Sequence, residues 1–258
     1  MRKIGINLNA IAGLTDEEYF AEIAQLGFDC IFSGVRSPEQ MAVWGNLCAK
    51  HGLEYETLHA PFGHINDIWL EDDCGMLDEL KHSIDACLEV GAGISVVHLS
   101  AGNRAPSITD AGRARFAQLV EYAEQKNVKI AFENQRKLAN IAWAFEAFPG
   151  EGVGFCWDCG HEFCFTPGRH YMPLFGSRLI CTHIHDNTTV YNDDSHFLPF
   201  DGACDFDYVA EAIRQSCYTG SLMLEVGNKT RYGEVDPREF LASAAERVKR
   251  LRAMVDGD

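Results

Sequence analysis

The sequence is short of positive charge and of long hydrophobic runs. It has 22 Lys and Arg against 38 Asp and Glu, a formal net charge of −16 at pH 7. A surface of that sign repels polyanions, which argues against partners such as nucleic acid or an anionic membrane. The sequence also lacks a run of about eighteen apolar residues that could cross a bilayer, and its first residues lack the apolar stretch of a secretory signal. We therefore expect a cytoplasmic protein that acts on small molecules.

Cysteine is present, but not in the patterns of disulfide frameworks or zinc fingers. The ten cysteines are scattered through apolar segments of a chain large enough to fold without disulfides, so we expect them to be reduced. Cys156 and Cys159 form one C-x-x-C pair with no second pair at zinc-finger spacing, and core packing is the simpler explanation. The glycines that begin at Gly91 precede a strand-like run, whereas the glycines of a nucleotide-binding loop follow one.

Short apolar runs alternate with longer stretches of helical period, which is typical of βα units on a parallel sheet. No linker, repeat or low-complexity tract interrupts this alternation, so we expect one domain over residues 1–258. Eight βα units in roughly 250 residues predict an α/β protein with the (β/α)8 TIM barrel fold. The eight strand-like runs lie near residues 3–8, 30–35, 53–60, 94–100, 128–134, 153–158, 179–185 and 221–226.

Local signals predict where several helices begin. Thr15 and Glu18 form a capping box, and Asp236 followed by Pro237 is typical of a helix start. The helix after "WDCGHEF" should be short, because Pro167 and Gly168 interrupt its start. Segment 186–204 is predicted to be a long loop, and long loops at one face of a barrel are usually functional.

Metal-binding and titratable residues stand at the ends of most of these strand-like runs. In a (β/α)8 barrel the C-terminal strand ends meet at one mouth, so we expect these side chains to lie close together. His183 and His185 share a face because side chains alternate along a strand. The residues are His59, His98, Glu133, Asp158 with His161, His183 with His185, and Glu225.

Each of these residues alone has a simpler interpretation. A single histidine at a strand end is more often a hydrogen-bonded structural residue than a ligand, and Glu133, Asp158 or Glu225 could each belong to a buried ion pair. A lone carboxylate among apolar neighbours costs several kcal/mol unless it is paired or bound to metal. Structural accidents would not all fall at strand ends, so the set as a whole predicts a site for a divalent cation such as Mn²⁺, Mg²⁺, Co²⁺ or Zn²⁺.

The motifs around these residues resemble the sugar phosphate isomerase/epimerase group of xylose isomerase-like TIM barrels. The resemblance runs nearly end to end and implies one divalent metal ion held by Glu133, Asp158, His183 and Glu225. His183 is favoured over His185 because an acid follows it three residues later. The motifs are "LHAPF" (58–62), "VVHLSAG" (96–102), "IAFEN" (130–134), "DCGH" (158–161), "HIHDN" (183–187), "DSHFLPFDG" (194–202) and "LMLEV" (222–226).

The resemblance also implies an activity, which is isomerisation or epimerisation of a sugar or sugar phosphate through an enediolate. Glu133 and Glu225 would exchange the substrate proton, and His161 would contact substrate oxygens. Other candidate substrate contacts are His59, His98, His185 and Trp157. Candidates for binding a phosphate, by position only, are Arg104, Arg136, Lys229 and Arg231.

Three alternatives stay open. A lyase that dehydrates an inosose-like polyol would use the same enediolate. Metal-dependent apurinic-site endonucleases belong to the same superfamily, but the acidic charge argues against that activity. A non-catalytic binding barrel would not need buried carboxylates around a cation.

A homo-oligomer is compatible with the sequence. The residues that match ligands of extra zinc ions in the endonucleases are His59, His98, His161, Asp194 and His196.

Overall fold

The computed structural model describes residues 1–257, which fall into two compact units. The first unit contains residues 1–32, 46–54 and the chain from Trp157 onward, and the second contains residues 33–45 and 55–156. Between them the described residues form eight β-strands. They are β1 Ile4–Asn7, β2 Cys30–Gly34, β3 Glu54–His59, β4 Ile94–His98, β5 Lys129–Glu133, β6 Val153–Asp158, β7 Leu179–His183 and β8 Leu222–Leu224.

Ten α-helices and two short 3-10 helices, at Ile65–Trp69 and Gly176–Arg178, account for the rest of the regular structure in residues 1–257. None of the helices described there is long and apolar enough to span a bilayer. The α-helices are α1 Asp16–Gln25, α2 Pro38–His51, α3 Met76–Val90, α4 Asp110–Gln125, α5 Leu138–Ala147, α6 Cys159–Phe165, α7 Met172–Phe175, α8 Phe206–Gln215, α9 Lys229–Tyr232 and α10 Pro237–Asp256.

The eight strands lie in one sheet in the order β7-β6-β5-β4-β3-β2-β1-β8. The pairing is parallel, and its register aligns Ile6 with Ile31 on one side and with Leu224 on the other. Ile184, the residue after β7, forms a parallel bridge with Leu224 of β8 and donates its N–H to the carbonyl of Met223 at 2.8 Å. The strand order therefore returns to its start, which confirms the predicted (β/α)8 TIM barrel.

The first unit confirms two predicted helix starts. The Thr15 hydroxyl accepts from the Glu18 N–H, and the Glu18 carboxylate accepts from the Thr15 N–H at 3.0 Å, so α1 begins with the capping box. Asp236 caps α10, and Pro237 is its first residue. In the core of this unit, Met223 of β8 packs with Cys30 and Phe32 of β2. The buried residues of α10 include Phe240, Leu241, Val248 and Leu251.

The second unit is built around the fully buried Trp69. Its ring packs against Phe116 and Trp143, with centroids 5.0 and 5.2 Å away. A Cβ at Gly112 of α4 would lie 2.1 Å from the Trp69 ring, so only glycine lets this helix approach. The indole N–H donates to the carbonyl of Leu99 at 2.7 Å, which fixes the chain immediately after β4.

The helix after β6 is short, as predicted, but the expected cause is wrong. It begins immediately at Cys159, because the Asp158 carboxylate caps it by accepting from the His161 N–H at 2.6 Å. Pro167 and Gly168 follow the end of α6 at Phe165 and do not interrupt its start. This cap places Asp158 and His161 side by side at the end of β6.

Candidate metal centre

Five strands end on a residue that the sequence singled out. β3 ends at His59, β4 at His98, β5 at Glu133, β6 at Asp158 and β7 at His183. Glu225 comes one residue after the end of β8, and His185 comes two residues after the end of β7. All of these residues are buried except Glu225, whose side chain is 21% exposed.

In the second unit, Glu133 lies against two histidines. Its Oε2 contacts His98 Nε2 and lies 3.5 Å from His59 Nε2, and Glu133 itself is 1% exposed. One ligand atom from each of the three residues lies within 4.8 Å of the others. The amide of Gln135 donates to the same carboxylate oxygen at 3.4 Å. Gln135 carries no metal-ligand signal in the sequence, and its position two residues after Glu133 was the only clue to this contact.

An exposed aromatic ring covers this group. Phe62 stacks on the His98 ring, with centroids 4.5 Å apart and planes at 30°, and its centroid is 5.3 Å from that of His59. Phe62 is 47% exposed, although large apolar side chains usually lose exposure on folding. The sequence does not predict this contact, because an aromatic residue next to a proline in "LHAPF" suggests loop packing.

In the first unit, His183 faces Glu225. The His183 Nδ1 lies 3.1 Å from Glu225 Oε2, and His183 is fully buried. Phe32 of β2 stacks on the His183 imidazole, with centroids 4.5 Å apart and planes at 17°. This stacking fixes the plane of the ring, so the histidine that the resemblance favoured as a ligand is held rigidly beside one of the two expected proton-exchanging glutamates.

A second group in the first unit gathers two aspartates and three histidines. The His185 Nε2 lies 3.1 Å from Asp158 Oδ1 and 3.5 Å from Asp194 Oδ1. The Asp194 Oδ2 lies 3.3 Å from both His161 Nε2 and His196 Nε2. The long loop after β7 thus brings Asp194 and His196 to the turn between β6 and α6.

The second group fits a divalent cation. Two of its buried atoms, His185 Nε2 and Asp194 Oδ1, have no hydrogen bond to any residue from 1 to 257, whereas buried polar atoms are normally satisfied. Carboxylate oxygens and imidazole nitrogens are the donors that such ions prefer. Gly160 leaves space for the His185 ring, because a Cβ at this position would lie 2.0 Å from His185 Cε1.

Hydrogen bonding favours the charged forms of both Asp194 and His196. Burial disfavours ionisation of both side chains, but for Asp194 the hydrogen bonds from His161 and His196 outweigh burial and hold its pKa well below the ordinary value. For His196, burial is likewise outweighed, chiefly by the hydrogen bond to Asp194 and the negative charge of Glu225, and its pKa rises to about 10. The His196 Nδ1 donates to the Glu225 carbonyl at 2.8 Å, which leaves Nε2 facing Asp194.

Asp186 clamps both ends of the loop that carries Asp194 and His196. This fully buried carboxylate accepts from the backbone N–H groups of Asn187 (2.8 Å), Gly202 (2.8 Å) and Cys204 (2.9 Å). A Cβ at Gly202 would lie 2.5 Å from Asp186 Oδ1 and 2.3 Å from the Asn187 carbonyl oxygen, so the clamp needs glycine there. The predicted loop at 186–204 is therefore a fixed segment.

Trp157 points away from these groups. It has no exposed surface, and its indole N–H donates to Glu162 Oε2 at 2.9 Å. The buried Glu162 carboxylate also accepts from His170 Nδ1 at 2.9 Å, the Tyr171 N–H at 2.9 Å and the Tyr208 hydroxyl at 2.8 Å. Trp157 and Glu162 thus pack behind the turn that carries Asp158 and His161. No local sequence pattern indicates this hydrogen-bond cluster.

Comparison with known proteins identifies a family and a set of similar folds. A family model described as xylose isomerase-like TIM barrel matches residues 20–253. The uncharacterized protein y4fM of Sinorhizobium fredii is 32% identical over 160 residues, which are 57% of this chain and 51% of that protein. The alignment thus spans about half the length of this relative.

Two solved structures illustrate the likeness of fold. A D-tagatose 3-epimerase-like protein superimposes with a TM-score of 0.79 at 21% identity, covering 99% of this chain and 98% of that one. D-psicose 3-epimerase from Clostridium cellulolyticum H10, solved with D-tagatose, also gives a TM-score of 0.79, at 13% identity, over 98% of this chain and 99% of that one. At these identities the likeness shows a common fold.

Proposed function

Because this chain belongs to the xylose isomerase-like TIM barrel family, we propose that it is a metal-dependent isomerase or epimerase of sugars or sugar phosphates. The observation that carries the proposal is the run of carboxylates and imidazoles at the C-terminal ends of β3 to β8, which is the face where (β/α)8 enzymes place their active sites. The names of the two similar structures, both 3-epimerases or epimerase-like, support the same class of reaction.

We propose that Glu133, Asp158, His183 and Glu225 bind one divalent cation. Three carboxylates and one imidazole suit Mn²⁺, Mg²⁺, Co²⁺ or Zn²⁺. Such an ion supplies polarisation of a substrate carbonyl and offsets negative charge on substrate oxygens. The contact between His183 and Glu225 supports the assignment of this pair, and the burial of Glu133 and Asp158 supports a compensating charge at each of them.

In the proposed reaction, Glu133 and Glu225 move the proton. One carboxylate removes a carbon-bound proton to form an enediolate, and the other returns a proton to the opposite face of the same carbon in an epimerisation. Return to the neighbouring carbon gives isomerisation. Glu225 keeps 21% of its side chain exposed, so a substrate can reach it. His161, next to Asp158, orients substrate oxygens by hydrogen bonding.

A second candidate is a phosphodiester hydrolase with two or three metal ions. One observation favours it, which is the surplus of ligands. His59 and His98 accompany Glu133 in one unit, and the second group of the other unit adds further imidazoles to Asp158 and Asp194. A single ion does not need so many donors. The net charge of −16 weighs against a nucleic-acid substrate.

The test is turnover of a panel of ketoses, aldoses and polyols in deuterated water with Mn²⁺ supplied. We expect deuterium to enter one substrate carbon, activity to disappear with a chelator and activity to return with Mn²⁺. Glu133→Gln and Glu225→Gln should each lower kcat/KM by about 10²- to 10⁴-fold in a folded protein. Glu54→Gln, at the exposed start of β3, is the matched control and should retain activity.

Each alternative predicts a different result. Near-normal turnover by either glutamine variant would remove the proposed acid/base pair. Loss of water from a polyol would identify a dehydratase. Two or three metal ions per chain, together with cleavage of DNA at abasic sites, would identify the hydrolase. No turnover of any substrate by a metal-loaded protein would favour a binding barrel.

A further inference from the structure

A cavity of about 570 Å³ lies in the first unit between the segments that follow β1 and β8. It is lined by residues 9–14 on one side, and by Gly227, Asn228, Lys229 and Val235 on the other. Ligand sites typically have volumes of about 300–1,000 Å³, so this cavity alone could hold a substantial chemical group. None of its lining residues belongs to the ligand groups described above.

The cavity adjoins the proposed reaction centre through β8. Gly227 comes two residues after Glu225, in the segment that follows β8. The Gly227 N–H donates to the carbonyl of His196 at 3.0 Å, which connects the cavity wall to the loop carrying Asp194 and His196. A Cβ at Gly227 would lie 2.5 Å from the Ala10 carbonyl oxygen, so glycine lets the segment after β1 close the other wall. The lining of the cavity therefore begins two residues along the chain from Glu225.

The lining of the cavity contains one charged side chain, that of Lys229. The Lys229 side chain is exposed, and its ammonium makes no hydrogen bond or ion pair with any residue in the part of the chain that the structure describes, 1–257. The backbone N–H groups of Ile11, Ala12 and Gly13 also donate to no acceptor within those residues. In a protein of net charge −16, an unpaired ammonium and free N–H groups around one cavity favour an anionic guest.

Lys229 differs in its surroundings from the other cations that the sequence offered for binding a phosphate. The Arg231 guanidinium lies over the Phe197 ring, 4.5 Å from its centroid, and 5.8 Å from that of Tyr232, so it is occupied by aromatic packing. Arg104 and Arg136 belong to the second unit, in the segments after β4 and β5. Of the four, only Lys229 lines the cavity.

We propose that this cavity binds an anionic substituent of the substrate, a phosphate or a carboxylate remote from the reacting carbon, with Lys229 as its counter-charge. The inference rests on the proposed function for its reaction, and it narrows the substrate class to sugar phosphates or sugar acids. The backbone N–H groups after β1 contribute hydrogen bonds, and the apolar side chains of Ile11, Leu14 and Val235 contact the carbon chain.

The test compares a ketohexose 6-phosphate, a hexuronate and an unmodified ketohexose as substrates of the Mn²⁺-loaded enzyme. Lys229→Gln removes the charge and keeps much of the length. We expect it to raise KM for the preferred anionic substrate at least about tenfold, the usual scale of a charge-assisted contact, with kcat and turnover of the unmodified sugar within about twofold of wild type. The phosphate and uronate arms identify which anion is used. The matched controls, Arg104→Gln and Arg136→Gln, should leave KM unchanged.

A second variant and a binding measurement test the anion site independently of the proposed reaction. Ala12→Phe fills the cavity from its exposed rim and should weaken only the anionic substrate. Calorimetric titration with inorganic phosphate should show binding to the wild type and not to Lys229→Gln, whether or not any sugar is turned over. If no substrate exchanges its proton, the proposed function fails. The phosphate titration still shows whether the cavity binds an anion. The inference is overturned if phosphate does not bind, if Lys229→Gln behaves as wild type, or if Arg104→Gln or Arg136→Gln gives the larger effect.

Discussion

Replacing Asp186 by Asn should release the loop that carries Asp194 and His196. The substitution keeps the size of the side chain and removes one of two acceptor oxygens. An Asn oxygen can still accept from the Asn187 and Cys204 N–H groups, as Asp186 Oδ1 does, but the amide NH2 would then face the Gly202 N–H that now donates to Oδ2 at 2.8 Å. Two donors would oppose each other in a fully buried position.

The expected cost follows from this count of hydrogen bonds. A hydrogen bond to a charged group contributes roughly 1.5–3 kcal/mol, and a buried donor left unsatisfied costs roughly 1–3 kcal/mol. Asp186→Asn should therefore lower the free energy of unfolding by about 3–5 kcal/mol, if the two surviving bonds are only slightly weakened. That is a large part of the roughly 5–15 kcal/mol by which a domain is stable.

Urea unfolding with a chelator present measures this loss without a contribution from bound metal. Asp193→Asn is the matched control, since Asp193 lies in the same loop and its carboxylate accepts, among residues 1–257, only from the exposed Thr188 hydroxyl. It should change the free energy of unfolding by less than about 0.5 kcal/mol. A loss below about 1 kcal/mol for Asp186→Asn would show that other contacts hold the loop. That result would contradict the role proposed here for Asp186.

Two further substitutions test the packing around the second ligand group. Gly160→Ala should displace the His185 ring, because the new Cβ would lie 2.0 Å from it. The free energy of unfolding should fall by about 1–3 kcal/mol. An unchanged free energy of unfolding would show that the ring can move aside without cost. Glu162→Gln should cost about 2–4 kcal/mol and shift Trp157 fluorescence, because an amide cannot accept four hydrogen bonds. Tyr208→Phe, which removes one of those bonds, should show a smaller effect, and equal effects would contradict a shared acceptor.

The sequence was sufficient to predict the strands and the strand ends that carry metal-binding or titratable residues. Glu133 and Asp158 stand out because each is an acid at the end of an apolar run, where burial without a partner is costly. Their strands end at those residues in the structure, and His59, His98 and His183 end theirs in the same way. These predictions rest on the pattern of apolar and polar residues among near neighbours in the chain. A single sequence is enough to show that pattern.

The partners of these residues could not be predicted in the same way. His185 was expected to lie on the strand beside His183, but β7 ends at His183, and the His185 ring stacks on His196 with centroids 4.2 Å apart. In the sequence Asp186 stands out only as the acid three residues after His183, yet its carboxylate organises a loop that closes 16 to 18 residues later. Such contacts depend on how a long loop folds back, and local pattern does not determine that path.

The two candidate activities share their ligands, so the choice between them rests on what the rest of the chain can accept. A hydrolase of DNA must neutralise several phosphates along an open surface, and each contact needs a Lys or Arg free to make it. Here several basic side chains are already paired with acids, as Arg238 is with Glu22 and Lys50 with Glu17. The unpaired Lys229 lines a cavity of about 570 Å³, which suits a single anionic group. A net charge of −16 then favours a small substrate that brings one such group over a polyanion that brings many.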